Sequence, residues 1–163
     1  MPLLGLLSDT HGEVERAAQA VALLRAAGAE LLLHLGDVGT EEVLEELVGS
    51  DVRVVFGNCD DVHLLTAHAR RLDIAVDHPI GRLEIAGRRI AFTHGHLPRL
   101  VDQALRDGVD WLFHGHTHER RDERLGATRV VNPGALCRAP RYTVAVVDPA
   151  AERVEWLEVG VRV

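Results

Sequence analysis

Short runs of apolar residues recur along the chain, and each run stops at a turn that contains glycine, aspartate, asparagine or histidine. The runs cover residues 3–7, 31–35, 52–56, 89–92 and 111–113. Apolar runs of this length, bounded by turn residues, are typical of buried β-strands. The pattern therefore predicts five strands, each with polar residues directly after its carboxyl end.

Helical patterns separate the first of these strands. Residues 13–27 are rich in alanine, leucine and arginine and stop before a glycine, which commonly follows the end of a helix. Residues 41–48, with Thr40 as the N-cap, and residues 61–71 and 99–107 also have helical patterns. This alternation of strand and helix predicts an α/β fold with a largely parallel sheet.

Patterns typical of β-strands dominate the rest of the chain. Residues 80–85 and 88–93 flank an Ala-Gly pair and predict a hairpin. Residues 128–131, 142–148 and 153–158 follow with no helix between them, and we expect all these segments to form a second sheet. The predicted architecture is two mixed β-sheets packed face to face as a sandwich, with helices on the outer faces.

Composition and charge exclude several classes of protein. The chain has 163 residues, of which 47% are apolar and 26% charged, as in an ordinary globular protein. No linker interrupts it, so we expect residues 1–163 to form a single domain. The net charge of −7 at pH 7 argues against a broad nucleic-acid surface. Two cysteines, the lack of a basic leader and the lack of an apolar run of about 20 residues predict a cytoplasmic protein without a membrane span.

Histidine changes this picture most, because five of the ten histidines lie between residues 94 and 118. The carboxyl ends of strands in an open α/β sheet meet at one rim, where ligands bind. Seven side chains with oxygen or nitrogen donors follow the predicted strands: Asp9, His11, Asp37, Asn58, His94, His116 and His118. Such donors suit borderline divalent ions, and seven are too many for one tetrahedral zinc site. They fit two ions about 3.5–4 Å apart that share a carboxylate.

Each of these residues also has an ordinary structural explanation. A lone aspartate after a strand is usually a turn residue or a helix cap, and a Gly-Asn pair is usually a turn. A histidine cluster by itself is often an exposed polar loop. Because five separate strand ends all supply groups able to bind a metal, we favour the metal site over these explanations.

The motifs in which these donors stand resemble those of the calcineurin-like metallophosphoesterase superfamily. They are Asp9-Thr10-His11, Gly36-Asp37, Gly57-Asn58-Cys59-Asp60, Thr93-His94-Gly95-His96 and Gly115-His116-Thr117-His118. Their order and spacing agree with the family over residues 3–148. The short chain, the Asn-Cys-Asp sequence and an Asn-Pro-Gly turn at residues 132–134 are similar to the small prokaryotic YfcE-like phosphodiesterase branch.

The resemblance implies a metal-dependent phosphoric ester hydrolase that cleaves small phosphodiesters by attack of a hydroxide bridging two metal ions. By position, Asp9, His11 and His118 hold the first ion, Asn58, His94 and His116 hold the second, and Asp37 bridges both. The ions are divalent transition metals, with manganese first and iron, nickel, cobalt or zinc as alternatives. The Asn58 amide is also able to donate a hydrogen bond to the phosphate.

Two departures from the family pattern affect the chemistry. Many members have a histidine that protonates the leaving group where this chain has Cys59. That role therefore falls to Cys59, to His96, to metal-bound water or to no group, and Cys59 is otherwise a small packed residue. No arginine follows Asp37 within residues 38–42, which favours singly charged diesters over phosphomonoester dianions.

Other functions and roles stay open at this point. A phosphomonoesterase, a dinucleoside polyphosphate hydrolase and a non-catalytic interaction scaffold with the same fold are alternatives, although all seven ligand positions are intact. An edge strand of the second sheet is suited to a homo-oligomer. We expect His34 to be a hydrogen-bonded core residue and His114 to support the site or to pack. The remaining histidines are expected on the surface (His63, His68 and His78), and two arginines in a solvated loop (Arg138 and Arg141).

Overall fold

Two mixed β-sheets form the centre of the molecule in the computed structural model, which describes residues 2–160. The helices are α1 (Val14–Ala26), α2 (Glu41–Glu45), α3 (Val62–Arg71) and α4 (Pro98–Arg106). The strands are β1 (Leu3–Leu7), β2 (Ala29–His34), β3 (Asp51–Val54), β4 (Ala75–Val76), β5 (Ile80–Ile85), β6 (Arg88–Thr93), β7 (Trp111–Phe113), β8 (Arg120–Leu125), β9 (Thr128–Pro133), β10 (Thr143–Asp148) and β11 (Arg153–Glu158).

The first sheet has the strand order β11-β10-β1-β2-β3-β4, and the second has the order β5-β6-β7-β9-β8. Strands β1 to β4 are parallel, as the alternation of strand and helix predicts, and so are β6, β7 and β9. The assignment of residues 142–148 and 153–158 to the second sheet is wrong. Strand β10 instead pairs antiparallel with β1, where Leu4 faces Val147, and β11 pairs with β10.

Alternating side chains of the strands build a separate core on each face. Leu4 and Leu6 of β1 point between the sheets and pack with Phe92, Trp111 and Phe113 of the second sheet. On the outer face of the first sheet, the strands pack against α1, α2 and α3. Helix α4 covers the outer face of the second sheet. The predicted sandwich with helices outside is therefore confirmed.

Local differences from the prediction concern the least apolar segments. Strand β8 has five charged residues in the sequence Arg-Arg-Asp-Glu-Arg-Leu and lies at a sheet edge, so it has no apolar signal. Helix α2 ends at Glu45, and the Thr40 side chain before it makes no capping hydrogen bond. Asp61 does cap α3, since its carboxylate accepts a hydrogen bond from the amide of Leu64 at 3.0 Å.

Within residues 2–160 no helix combines the length and apolar character needed to cross a membrane. The single-domain organisation, the cytoplasmic location and the homo-oligomer stay predictions.

Candidate metal centre

The carboxyl ends of five strands meet at one rim of the sandwich. The donor residues that follow β1, β2, β3, β6 and β7 are Asp9, Asp37, Asn58, His94 and His116. Backbone hydrogen bonds fix neighbouring loops to one another. The amide of Asp9 donates to the carbonyl of Gly36 at 2.9 Å, and the amide of Gly115 donates to the carbonyl of His94 at 2.9 Å. The first sheet and the second sheet thus contribute to a single site.

Asp37 belongs to one group of candidate ligand atoms and faces a second group. Its Oδ2 is 3.2 Å from Nε2 of His94 and 3.6 Å from Nε2 of His11. The first group is Asp9, His11 and His118, the second is Asp37, His94 and His116, and within each group the ligand atoms lie within 4.8 Å of one another. These groups bring together six of the seven residues that the sequence analysis assigns to the two ions.

Asn58 and His96 lie beside these groups. Asn58 is exposed, and its Nδ2 is 3.6 Å from Sγ of the neighbouring Cys59, whose own amide donates to Oδ1 of Asp37 at 3.0 Å. The His96 ring is half-buried, with its centroid 5.4 Å from that of His94 and 6.2 Å from that of His116. Both residues therefore lie at the rim where a substrate would approach.

Two buried atoms of the candidate metal ligands have no hydrogen-bond partner among the described residues: Oδ1 of Asp9 and Nε2 of His94. The other polar atoms of both side chains are bonded. Oδ2 of Asp9 accepts from the Ser8 hydroxyl at 2.7 Å and from the His116 amide at 3.1 Å, while Nδ1 of His94 donates to the Leu35 carbonyl at 2.7 Å. In the neutral ring that bond leaves a lone pair on Nε2. An unsatisfied buried polar atom costs about 1–3 kcal/mol, so these atoms fit the binding of a cation.

The charges around the site favour the same conclusion. Burial raises the pKa of Asp9 more than its hydrogen bonds and neighbouring histidines lower it. Burial also acts to raise the pKa of Asp37, but the His94 ring 3.2 Å away and the hydrogen bond from the Cys59 amide hold it well below its usual range. The pKa of His94 is raised because the two carboxylates outweigh its burial. A bound cation stabilises ionised aspartate and neutral histidine, the forms in which both residues bind metals.

Five of the predicted ligands adopt a left-handed backbone conformation. The φ angles are 56° at Asp9, 44° at His11, 54° at Asp37, 71° at His116 and 63° at His118. This conformation is uncommon for residues other than glycine, costs of order 1–3 kcal/mol each, and clusters at functional sites. The fold therefore holds these loops in a strained form that aims their side chains at the centre.

Glycines in the motifs allow the loops to approach closely. A Cβ atom at Gly57 would collide with Oδ1 of Asp37, and one at Gly115 would collide with the Ser8 hydroxyl. At Gly36 it would come within 2.6 Å of Nδ1 of His94. Any larger residue at these positions would displace the ligands.

Asp60 is a supporting residue that the sequence analysis did not identify. Its carboxylate accepts hydrogen bonds from the amides of Val38 at 3.1 Å, Gly39 at 3.0 Å and Gly57 at 2.9 Å. It therefore fastens the loop after β2 to the loop after β3. The only available signal was its place in the Gly-Asn-Cys-Asp motif.

His34 supports the loop after β2, and its prediction as a hydrogen-bonded core residue is confirmed. Its Nδ1 accepts from the Gly36 amide at 3.2 Å, and its Nε2 lies 3.1 Å from the Thr10 hydroxyl. Burial lowers the pKa of His34 to about 3, so the ring stays neutral. The Thr10 hydroxyl in turn donates to the Val38 carbonyl at 2.8 Å.

His114 and Asn132 support the loop that contains His116 and His118. Nδ1 of His114 donates to the Gly115 carbonyl at 2.9 Å, and Nδ2 of Asn132 donates to the same carbonyl at 3.1 Å. Of the two roles open for His114, support of the site is therefore the one its contacts favour.

The expected surface positions of two other histidines are wrong. His68 is half-buried between Glu41 and Glu45, and His78 accepts a hydrogen bond from the Phe56 amide at 3.2 Å. His63 is exposed, as predicted. The contacts of His68 and His78 join segments more than 20 residues apart, so no local pattern revealed them.

Cys59 and Arg138 differ from a small packed residue and a residue of a purely solvated loop, the ordinary structural roles considered for them. Cys59 is exposed and is not a packed core residue. Desolvation of the thiol and the nearby Asp37 carboxylate raise its pKa. The Arg138 side chain is exposed as expected, but its positive charge reaches the site and adds to the desolvation that lowers the pKa of His11. The Arg138 carbonyl also lies 3.4 Å from Nδ1 of His118.

Comparison with known proteins agrees with this geometry. The family model of the calcineurin-like phosphoesterase superfamily domain matches residues 3–152. A phosphodiesterase of Methanocaldococcus jannaschii is 28% identical over 96% of this chain and 97% of its own length. The phosphodiesterase YfcE of Escherichia coli is 29% identical over 83% of this chain and 80% of its own length.

A solved structure of an archaeal phosphodiesterase has the same fold. It superimposes with a TM-score of 0.86 at 24% identity and covers 96% of this chain and 99% of its own length. The likeness therefore covers the fold of nearly the whole chain.

Proposed function

The chain belongs to the calcineurin-like phosphoesterase superfamily and is a metal-dependent phosphoester hydrolase, and from this premise we propose that it cleaves phosphodiesters with two bound divalent cations. The observation that carries the proposal is the pair of ligand groups, one of which contains Asp37 while the other has His11 3.6 Å from it, together with the unpartnered buried atoms of Asp9 and His94. A single group of polar side chains whose hydrogen bonds are all made would be a structural cluster. Two groups that face one carboxylate suit a phosphoryl-transfer centre.

We assign Asp9, His11 and His118 to the first cation, and Asn58, His94 and His116 to the second, with Asp37 shared. Oxygen and imidazole donors of this kind suit manganese and also accept iron, nickel, cobalt and zinc. When bound, such cations supply a hydroxide nucleophile near neutral pH and stabilise the negative charge that develops on the phosphoryl oxygens.

The protein residues position these groups and the substrate. Leu35 fixes the ring of His94 through its carbonyl, and the Cys59 amide fixes the Asp37 carboxylate. The side-chain carbonyl of Asn58 is assigned to the second cation, which leaves its NH2 group able to donate a hydrogen bond to a phosphoryl oxygen. His96 stands at the rim with its buried Nδ1 unpartnered among the described residues, and we assign it to protonate the leaving oxygen.

The charge around the centre favours a diester. The amides of Val38 and Gly39, which follow Asp37, are bonded to Asp60, and the next residues are uncharged or acidic. A positively charged side chain that does act on the site, at His11, is that of Arg138. It comes from a different loop and is exposed. One solvated arginine matches the single charge of a phosphodiester better than the double charge of a monoester.

A metal-by-substrate activity screen tests this proposal. Protein stripped of metal and reloaded with each ion is assayed on a nitrophenyl diester, a nitrophenyl monoester, a nucleotide diester and a dinucleoside polyphosphate. We expect kcat/KM for the nitrophenyl diester to exceed that for the monoester by at least about tenfold, a difference of about 1.4 kcal/mol. A preference for the monoester, or for the polyphosphate over the nucleotide diester, would contradict the diester assignment.

A further inference from the structure

We propose that His78 is a substrate-binding residue of the same site, whose Nε2–H donates a hydrogen bond to the leaving alcohol of the diester. The inference rests on the proposed function and deepens it, because it names a class of leaving group. That class is an alcohol with a second oxygen beside the departing one, as in glycerol or a sugar. His78 is neither one of the proposed metal ligands nor the proposed leaving-group acid.

Hydrogen bonds place His78 between two loops that carry residues of the site. Its Nδ1 accepts from the amide of Phe56, two residues before Asn58, at 3.2 Å. The carbonyl of the next residue, Pro79, accepts at 2.8 Å from the hydroxyl of Thr93, the last residue of β6. His78 therefore lies between the loop after β3 in the first sheet and the loop after β6 in the second.

The segment that carries His78 is fixed to the first sheet. The Asp77 amide donates to the Val54 carbonyl at 2.9 Å, and the Asp77 carboxylate accepts two hydrogen bonds of 2.7 Å from the Arg53 guanidinium. The His78 ring also lies against the Phe56 ring, with 5.7 Å between the centroids. A donor that is already held in position loses little conformational freedom when a substrate binds.

The hydrogen bond from the Phe56 amide decides which ring nitrogen of His78 carries the proton. Because Nδ1 is the acceptor, the hydrogen of the neutral ring is on Nε2. Burial lowers the pKa of His78, which keeps the ring neutral near neutral pH. Among the described residues the half-buried ring makes this one hydrogen bond, so its Nε2–H is left for a bound molecule.

His78 lies on the side of the rim from which the alcohol leaves. The pKa of His96, the proposed leaving-group acid, is lowered first by burial and also by neighbouring charges, of which His78 is one. The two rings are therefore neighbours, and an alcohol whose departing oxygen faces His96 lies against His78. A neutral N–H at this place suits a hydroxyl or ether oxygen of the alcohol, while a second phosphate group would favour a charged donor.

The test compares two leaving alcohols in metal-loaded wild type and two variants. The substrates are a nucleotide whose phosphate is esterified with glycerol and the same nucleotide esterified with propanol, and the nucleotide released is measured. His78→Asn keeps an acceptor for the Phe56 amide, since Oδ1 of asparagine takes the place of Nδ1, but it lacks the distal N–H. His78→Phe lacks both. The exposed His63 of α3 gives the control His63→Asn.

We expect His78→Asn to lower kcat/KM for the glycerol ester by about fivefold or more, and to change that for the propyl ester by less than about twofold. The ratio of wild type to variant for each substrate cancels the different reactivity of the two alcohols. The thermal midpoint and metal content of His78→Asn should match those of wild type. The midpoint of His78→Phe should fall, because the Phe56 amide loses its acceptor.

Three results would overturn this inference and leave the proposed function intact. Equal losses for the two esters would mean that His78 acts through His96 or through the fold. Unchanged activity of His78→Asn on both esters would mean that the ring has a structural role alone. The third is a wild type that cleaves a nitrophenyl diester but not the glycerol ester. A metal-loaded wild type that cleaves none of these diesters would overturn both.

Discussion

Asp37→Asn is expected to lower kcat by more than about tenfold, a loss of at least about 1.4 kcal/mol in transition-state stabilisation. Oδ2 of Asp37 faces both His94 and His11, so the substitution affects both proposed ions at once. An asparagine offers one neutral oxygen instead of two anionic ones. If the side-chain nitrogen of the asparagine takes the place of Oδ1, it faces the Cys59 amide. Two hydrogen-bond donors then oppose each other.

The fold should survive this substitution with some loss of stability in the metal-free protein. Because the pKa of Asp37 is lowered in the folded state, its carboxylate stabilises the fold above the ordinary pKa of aspartate. That contribution is lost as the pH falls through the folded-state pKa, and asparagine lacks it at every pH. The exposed Asp51, at the opposite end of β3, provides the control variant Asp51→Asn.

The measurements are kcat on a nitrophenyl diester, circular dichroism and bound metal for both variants. Asp51→Asn should keep its activity and its metal content. Retention of more than about a tenth of kcat in folded Asp37→Asn would show that Asp37 does not hold both ions.

His96→Gln is expected to slow the cleavage of diesters with alkoxide leaving groups by about 10²-fold or more, and to affect nitrophenyl diesters little. General acid catalysis is worth about 10²–10⁴-fold and matters most when the departing oxygen is strongly basic. Burial and the neighbouring His94 and His116 lower the pKa of His96. A lower pKa makes the protonated ring a stronger acid but reduces the fraction present, a balance common in general acids.

Glutamine keeps a hydrogen-bond donor at this position and removes the ability to transfer a proton. The assay compares kcat/KM for a nucleotide diester and a nitrophenyl diester in wild type, His96→Gln and the exposed control His63→Gln. Equal losses for the two substrates would mean that His96 positions the substrate and does not act as an acid.

Much of the centre was predictable because its residues follow strands with a clear apolar pattern. Leu3–Leu7 and Trp111–Phe113 have the same bounds in the sequence pattern and in the structure. These two strands lie in different sheets, and the packing of the sheets face to face brings their carboxyl ends to one rim, where the His116 amide donates to Oδ2 of Asp9 at 3.1 Å. Local patterns thus place each ligand at the end of a strand, while the meeting of the ligands depends on how the two sheets pack.

The features that escaped prediction depend on contacts between distant segments. β10 is as apolar as a strand of either sheet, and only its pairing with β1 places it in the first. Asp60 gains its role from three amides on two loops, and Arg138 gains its influence from the path of its loop past His11. Left-handed φ angles at aspartate and histidine are set by the closed fold, since local propensity disfavours them.

The number of ions bound per chain is the decisive measurement for the proposed metal centre. Metal-free wild type is reconstituted with manganese and, separately, with zinc, and elemental analysis is combined with anomalous scattering from crystals. We expect two ions per chain under saturating metal, one near Asp9, His11 and His118 and one near His94 and His116, with Asp37 between them. Consistent occupancy by one ion or by none would contradict it.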